Sequence, residues 1–254
     1  MVAIIMFIVF AVVGIAYIKM RYINIAFIAS QFKGCNVIVF GKKGSGKDIL
    51  FSSVIKKRGC KHLSNIEYYK GKTEVKPLGY LSVAPNVYND FIDGKVKVIP
   101  KNIIEKADYY LSDGGIYLPS QYDNILSKQY PSLPIFYALS RHLGKMNIHV
   151  NVQNLNRLWI KLREQADCYI RTKRAINMGF WILVTTYVYE NYNDALELLK
   201  PIKKTIKGDV SKVEESTRGL VEKKTILVPK RWLEYDSRYF HKVIYGVPSL
   251  DKKK

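Results

Sequence analysis

Residues 36–57 read NVIVFGKKGSGKDILFSSVIKK, and this stretch decides the fold. Asn36–Phe40 is a short apolar run between Gly34 and Gly41, the pattern of a buried strand. From Lys47 to Lys57 the apolar residues Ile49, Leu50, Val54 and Ile55 recur at helical spacing. Between strand and helix lies GKKGSGKD (41–48), the phosphate-binding pattern GxxxxGK[ST] in all but its last residue. Glycines at these positions let backbone N–H groups curl around phosphates, and the helix N-terminus adds its positive end. Gly41, Lys42, Lys43, Gly44, Ser45, Gly46, Lys47, Asp48 and Ile49 are therefore the expected nucleotide-binding residues, with Lys47 reaching the β- and γ-phosphates.

The last residue of the pattern departs from it. Asp48 stands where Ser or Thr normally offers a hydroxyl to Mg²⁺. A carboxylate is also a hard oxygen donor, so Asp48 either preserves metal binding by another route or weakens hydrolysis by adding negative charge beside the phosphates.

A second acidic position lies at Asp108–Ser112 (DYYLS), read as a strand ending in Asp113-Gly114-Gly115. Nucleotide-hydrolysing sites of this kind place an Asp at a strand end to organise Mg²⁺, often with a Glu after it. Here glycine follows Asp113. Two arrangements stay open: Asp113 organises Mg²⁺ and another group handles water, or Ser112 takes the metal position and Asp113 polarises water. An Asp-Gly turn with neither role reads the same way.

Working outward, Lys95–Ile99 alternates as a strand, Leu133–Leu143 reads as a helix, and Asn147–Val152 (NIHVNV) reads as a strand ending at Gln153. Leu155–Gln165 has an amphipathic helical pattern, and residues 168–174 and 180–189 are rich in β-branched and aromatic residues. Strands alternating with helices predict an α/β, three-layer fold with a mostly parallel sheet. The core is expected over residues 34–190. Residues 191–254 form a basic C-terminal extension, partly packed on that core.

The N-terminus reads VAIIMFIVFAVVGIAYI over residues 2–18, without a charged side chain, and Lys19 and Arg21 follow. That length suffices for a transmembrane helix. The basic flank on its C-terminal side places the N-terminus outside and the rest in the cytoplasm. A cleaved signal peptide would carry its charges before the apolar run. Residues 1–20 are thus an anchor and 21–33 a juxtamembrane segment. The apolar stretch 22–32 either continues along the membrane face or leads into the core.

A formal charge of +20, from 41 Lys and Arg against 21 Asp and Glu, favours a polyanionic partner, nucleic acid or anionic lipid. Three scattered cysteines argue against a disulfide framework, and the four histidines have no metal-ligand spacing.

The loop at 41–48, SDGGIYLPSQYD (112–123), ALSRHLGKMNIHVNVQN (138–154) and LNRLWIKLREQADCYIRTK (155–173) together resemble the Zot-like proteins. These are relatives of the filamentous-phage gene I assembly ATPase, within the FtsK–HerA group of P-loop motors. The resemblance spans roughly residues 34–190, with a looser echo at 235–246. It implies a RecA-like core, ATP and Mg²⁺ as cofactors, a homo-oligomeric ring, and DNA or phage coat and assembly proteins as partners at the inner membrane of a bacterial host. It implies that Gln153 senses the γ-phosphate and that Arg141 belongs to a functional basic pair. Arg163 or Arg171 is the candidate finger for a neighbour's nucleotide. The anchor here precedes the ATPase domain, whereas in such proteins it commonly follows. A membrane scaffold that binds nucleotide without hydrolysing it is the second reading.

Overall fold

The computed structural model describes residues 2–60, 62–69, 74–75, 107–114, 137, 147–197 and 220–233. The expected strand at Lys95–Ile99, Arg141 with nearly all of its helix, and residues 234–254 lie outside them. The chain opens with α1 (Val2–Gln31), β1 (Val37–Phe40), α2 (Lys47–Arg58), β2 (His62–Ser64) and β3 (Glu74–Val75). Then come β4 (Asp108–Leu111), β5 (Ile148–Val152), a 3-10 turn (Leu155–Arg157), α3 (Ile160–Arg163) and β6 (Cys168–Met178). β7 (Trp181–Tyr189), α4 (Tyr192–Glu197), β8 (Leu220–Pro229) and a second 3-10 turn (Lys230–Trp232) complete the described elements.

The strands form one sheet in the order β3-β2-β4-β5-β1-β6-β7-β8. β3 through β6 in that order are parallel, whereas β6–β7 and β7–β8 are antiparallel. Apolar side chains occupy both faces of β1 because helices cover both. On one side Val37 and Val39 meet Leu50, Phe51 and Val54 of α2, Ile25 and Ile28 of the α1 end, and Phe32 just past it. On the other, Ile38 and Phe40 meet Leu155, Leu158 and Leu162. The expected three-layer α/β fold with a mostly parallel sheet is the one observed. β5 lies between β1 and β4, so the phosphate-binding loop and the acidic strand end are two strand spacings apart, about 10 Å.

Three local expectations change. Leu155–Gln165 is not one helix: Leu158 is extended (φ −79°, ψ 140°), splitting a one-turn 3-10 segment from α3. Asn154 caps the turn through Asn156 N–H at 2.9 Å. The start of β6 is tied to β1 by Asn36 N–H donating to Asp167 Oδ2 at 2.7 Å and Asp167 N–H donating to Asn36 O at 2.9 Å. The short return path therefore favours a broken turn that still buries Leu155, Leu158 and Leu162. Second, β6 runs on to Met178 and turns at Gly179 (φ 75°) into β7, a two-residue hairpin turn in which glycine takes the left-handed position. Third, the lysine-rich segment contains β8, whose Ile226 and Val228 pack in the core while Lys223 is exposed on the sheet's last strand.

Apolar residues 4–20 of α1 are exposed, and this is the described helix long and apolar enough to cross a membrane. Its last two turns are different: Ile25, Ile28 and Ala29 are buried, and Asn24 Nδ2 donates to Thr225 O of β8 at 2.8 Å. The stretch after the apolar run thus leads into the core within one continuous helix of about 45 Å.

At the opposite sheet edge from the loop, Asp108 is buried with Arg58 as its ion-pair partner and Asn147 Nδ2 donating to it at 2.6 Å. His149 Nε2 lies 3.9 Å away. Burial alone would raise the Asp108 carboxyl, but His149, Asn147 and the Arg58 guanidinium outweigh it and hold the carboxyl below its usual range. Its stabilisation is complete above the unfolded aspartate pKa, about 3.9, and is lost as pH falls through the lower folded value. Asp108→Ala strands the Arg58 charge and destabilises the protein by about 3–5 kcal/mol, whereas Arg58→Met with Asp108→Leu costs distinctly less. Thermal unfolding of the full chain in detergent measures both, and equal losses would count against a buried pair.

Candidate nucleotide-binding site

The loop after β1 closes as the sequence requires. Gly41 has φ 153°, and a Cβ there would lie 2.3 Å from Thr172 O and 2.7 Å from Ser45 Oγ. Only glycine lets the loop turn so close to β6. Ser45 Oγ and Thr172 Oγ1 are 2.7 Å apart, and Ser45 N–H donates to Lys42 O at 3.1 Å. Lys42, Lys43 and Gly44 are exposed at the rim, and Ile49 is half-buried in the first turn of α2. Lys47 is buried and donates Nζ–H to Gly41 O at 3.1 Å and Lys42 O at 3.3 Å. Burial lowers its pKa below the ordinary lysine value, opposed by the charges of Asp48 and Asp113.

Asp48, one residue on, is where three elements meet. Its Oδ1 accepts from Ser112 Oγ–H at 2.8 Å, Asn151 Nδ2–H at 2.7 Å and Tyr68 O–H at 3.0 Å. Among the described residues Oδ2 accepts no hydrogen bond, so one carboxylate oxygen takes all three. Ser112 is itself fixed: Asn65 accepts from its N–H at 2.8 Å and donates Nδ2–H to its carbonyl at 2.9 Å.

Asp113 follows in the left-handed region at φ 51°, with its N–H donating to Asn151 Oδ1 at 2.8 Å. Burial raises its carboxyl above the usual aspartate range, and the Asp48 charge adds to this, while Lys47, a hydrogen bond with Gln153 and Lys43 pull it down. Gln153 is exposed just beyond β5, so its amide and the Asp113 carboxylate share the rim. Gly114 explains the missing glutamate: a Cβ there would lie 2.2 Å from Val150 Cγ1.

The fold thus brings Lys47, Asp48, Asp113 and Gln153 to the C-terminal edge of the parallel strands, where open α/β sheets bind ligands. Arg163 is not available to a neighbour. It is 2% exposed, donates to Asn156 Oδ1 at 3.1 Å and lies 4.8 Å from the Tyr192 ring centroid. Inward packing, rather than a wet helix face, accounts for it. Arg171 is half-buried on β6. Sequence reasoning overlooked Asn65, Tyr68, Asn151 and Thr172. For Asn151 a sign was present, an amide flanked by Val150 and Val152 in a run read as a strand.

Loop, sheet order and strand-end carboxylate together define a P-loop nucleotide-binding core with an extra strand between the loop strand and the acidic strand. No protein-family model and no curated protein sequence matches the chain. Among solved structures it is similar to the N-terminal domain of zonular occludens toxin from Neisseria meningitidis, at 17% identity and TM-score 0.43, over 65% of this chain and 88% of that one. It is also similar to the genome packaging NTPase B204 from Sulfolobus turreted icosahedral virus 2 in complex with ATP-gammaS (13%, TM-score 0.40, 62% and 93%). A third similarity is to the cytoplasmic domain of the Thermomonospora curvata Type VII secretion ATPase EccC (10%, TM-score 0.35, 62% and 24%).

Gly114→Ala forces Val150 to move and destabilises the protein by about 1–3 kcal/mol. Gly114→Ala combined with Val150→Ala recovers part of that loss in thermal unfolding; no recovery would place the strain elsewhere.

Proposed function

We propose that the chain is a membrane-anchored P-loop ATPase motor that moves DNA or assembles and exports phage particles. It works as a homo-oligomeric ring at the inner membrane of a bacterial host, with the ATPase domain cytoplasmic. One observation carries the hydrolytic part: the hydroxyl–carboxylate pair of a Mg²⁺-ATP site is present with its members exchanged. The carboxylate comes from the loop helix as Asp48 and the hydroxyl from the acidic strand as Ser112, joined at 2.8 Å. The exchange leaves Asp113 free for water. Of the two arrangements left open by the sequence, Ser112 in the metal position with Asp113 on water is the one that the Ser112–Asp48 contact supports.

The residues fit a hard cation: Asp48 offers Oδ2, and Ser112 a hydroxyl fixed by Asn65. When bound, Mg²⁺ neutralises charge on the β- and γ-phosphates. Lys47 exchanges the carbonyls of Gly41 and Lys42 for phosphate oxygens. Asp113, ionised, takes the proton of the attacking water, and Gln153 orients it and contacts the γ-phosphate. The wholly exposed apolar half of α1 and its Lys19 flank support the anchor. The +20 charge supports a DNA backbone track, with binding that weakens steeply as salt rises. Gly114, in place of a glutamate, favours the non-hydrolysing scaffold as the second reading.

Turnover by the full chain in detergent, with and without single-stranded DNA, is expected to exceed that of Lys47→Ala. A nucleotide-dependent ring without such turnover would establish the scaffold instead. Asp48→Ser and Ser112→Asp each weaken Mg²⁺-dependent nucleotide affinity by about tenfold, the scale of one charged hydrogen bond. The double variant recovers part of it. A double variant no better than the singles rules out the exchange.

Because Asp113 must be ionised and its pKa is raised, turnover falls on the acid side at a pH above the ordinary aspartate range. Lys43→Gln removes a charge that lowers that pKa, so the acid limb moves to higher pH. A limb that does not move separates Asp113 from the water step.

A further inference from the structure

The β6–β7 hairpin tip is apolar where a water-soluble domain would be polar. Phe180 is 87% exposed and Met178 56%, on either side of Gly179. Phe180 O accepts from Lys230 N–H at 3.0 Å, so the second 3-10 turn is tied to the tip.

Helix α1 runs beside this hairpin at a level that can be read off. Asn24 is bonded to Thr225, and Ile15 lines the same groove as Trp181 and Pro229. Nine helical residues from Asn24 to Ile15 rise about 13 Å, and four strand residues from Thr225 to Pro229 rise about the same. The hairpin tip therefore lies level with Ile15. That is four residues, about 6 Å, further into the apolar run than Lys19. If α1 spans the membrane, the tip enters the headgroup and upper acyl region.

Between helix and hairpin is a groove of about 440 Å³ with apolar walls from Ile15, Ile18, Trp181 and Leu227, and with Lys19 and Arg231 on its border. Apolar walls with two cations match an acyl chain and a phosphate held together. We propose that this groove binds an anionic phospholipid and that Phe180 and Trp181 seat the hairpin tip in the bilayer surface. The lipid's phosphate meets Lys19 and Arg231, and its acyl chain lies along Ile15, Trp181 and Leu227. The inference rests on the membrane-anchor reading of α1. The occupant is lipid rather than a partner helix, because the groove continues the lipid-facing surface of α1 and is bordered by like charges.

The test uses full-chain protein in vesicles of phosphatidylcholine containing phosphatidylglycerol, with either lipid brominated near the top of its acyl chains. Brominated phosphatidylglycerol is expected to quench tryptophan emission. Trp232 also lines the groove, so Trp181→Phe with Trp232→Phe should lose most of that quenching, whereas Trp159→Phe should lose none. Each cation supports about a fivefold preference for an anionic headgroup. At equal mole fraction, brominated phosphatidylglycerol should therefore quench more than brominated phosphatidylcholine, and Lys19→Gln with Arg231→Gln should erase the difference. Equal quenching by both lipids in the parent chain overturns the anionic site. Absence of quenching in protein that floats with vesicles and resists carbonate extraction overturns the groove and the seated hairpin while leaving the anchor intact. If that protein instead cross-links between copies through Phe180→Cys, a second chain is the occupant. Protein that fails to float rejects the anchor reading itself.

Discussion

The Asp48 carboxylate is the contact on which the arrangement of the site depends. One of its oxygens gathers a phenol from the segment after β2, a hydroxyl from the end of β4 and an amide from β5. Of these, only β5 is paired with the loop strand. A serine or threonine at position 48 has one oxygen and could not accept three bonds while also meeting a cation. Asn151 extends the network by holding Asp48 and the Asp113 backbone with the two ends of one side chain. Ser112 and Asn151 are buried with hydrogen-bond partners, which makes their part of the network specific rather than costly.

The same helix that is exposed and apolar over its first turns is a core element at its end. Phe32, just past α1, packs edge-on against Phe51 of α2 at 6.1 Å, and its carbonyl accepts from Arg58. Arg58 in turn pairs with Asp108. The end of α1 and α2 are thus joined by packed side chains.

Much of this was legible in the sequence because it is local. Strand, glycine loop, lysine and helix follow one another within 22 residues, and their chemistry depends on backbone reach alone. The apolar run before Lys19 is equally local. β8 was missed because its alternation is masked by Glu222, Lys223 and Lys224, and only pairing with β7 explains why such a segment is extended. The break at Leu158 was missed because an amphipathic pattern does not record that the return to β6 is short.

The residues from Gly41 to Asp48, by themselves, determined that a phosphate-binding loop joins a strand to a helix, since glycine φ freedom and lysine placement are properties of adjacent positions. They also showed that Asp48 departs from the pattern, without showing which groups it bonds. Only the tertiary structure decided that, because sheet order inserts β5 between β1 and β4. That insertion brings Ser112 and Asn151, distant in sequence, within hydrogen-bonding distance of one carboxylate oxygen. A residue's partners across parallel strands are set by which strands are neighbours, and no local pattern encodes that order.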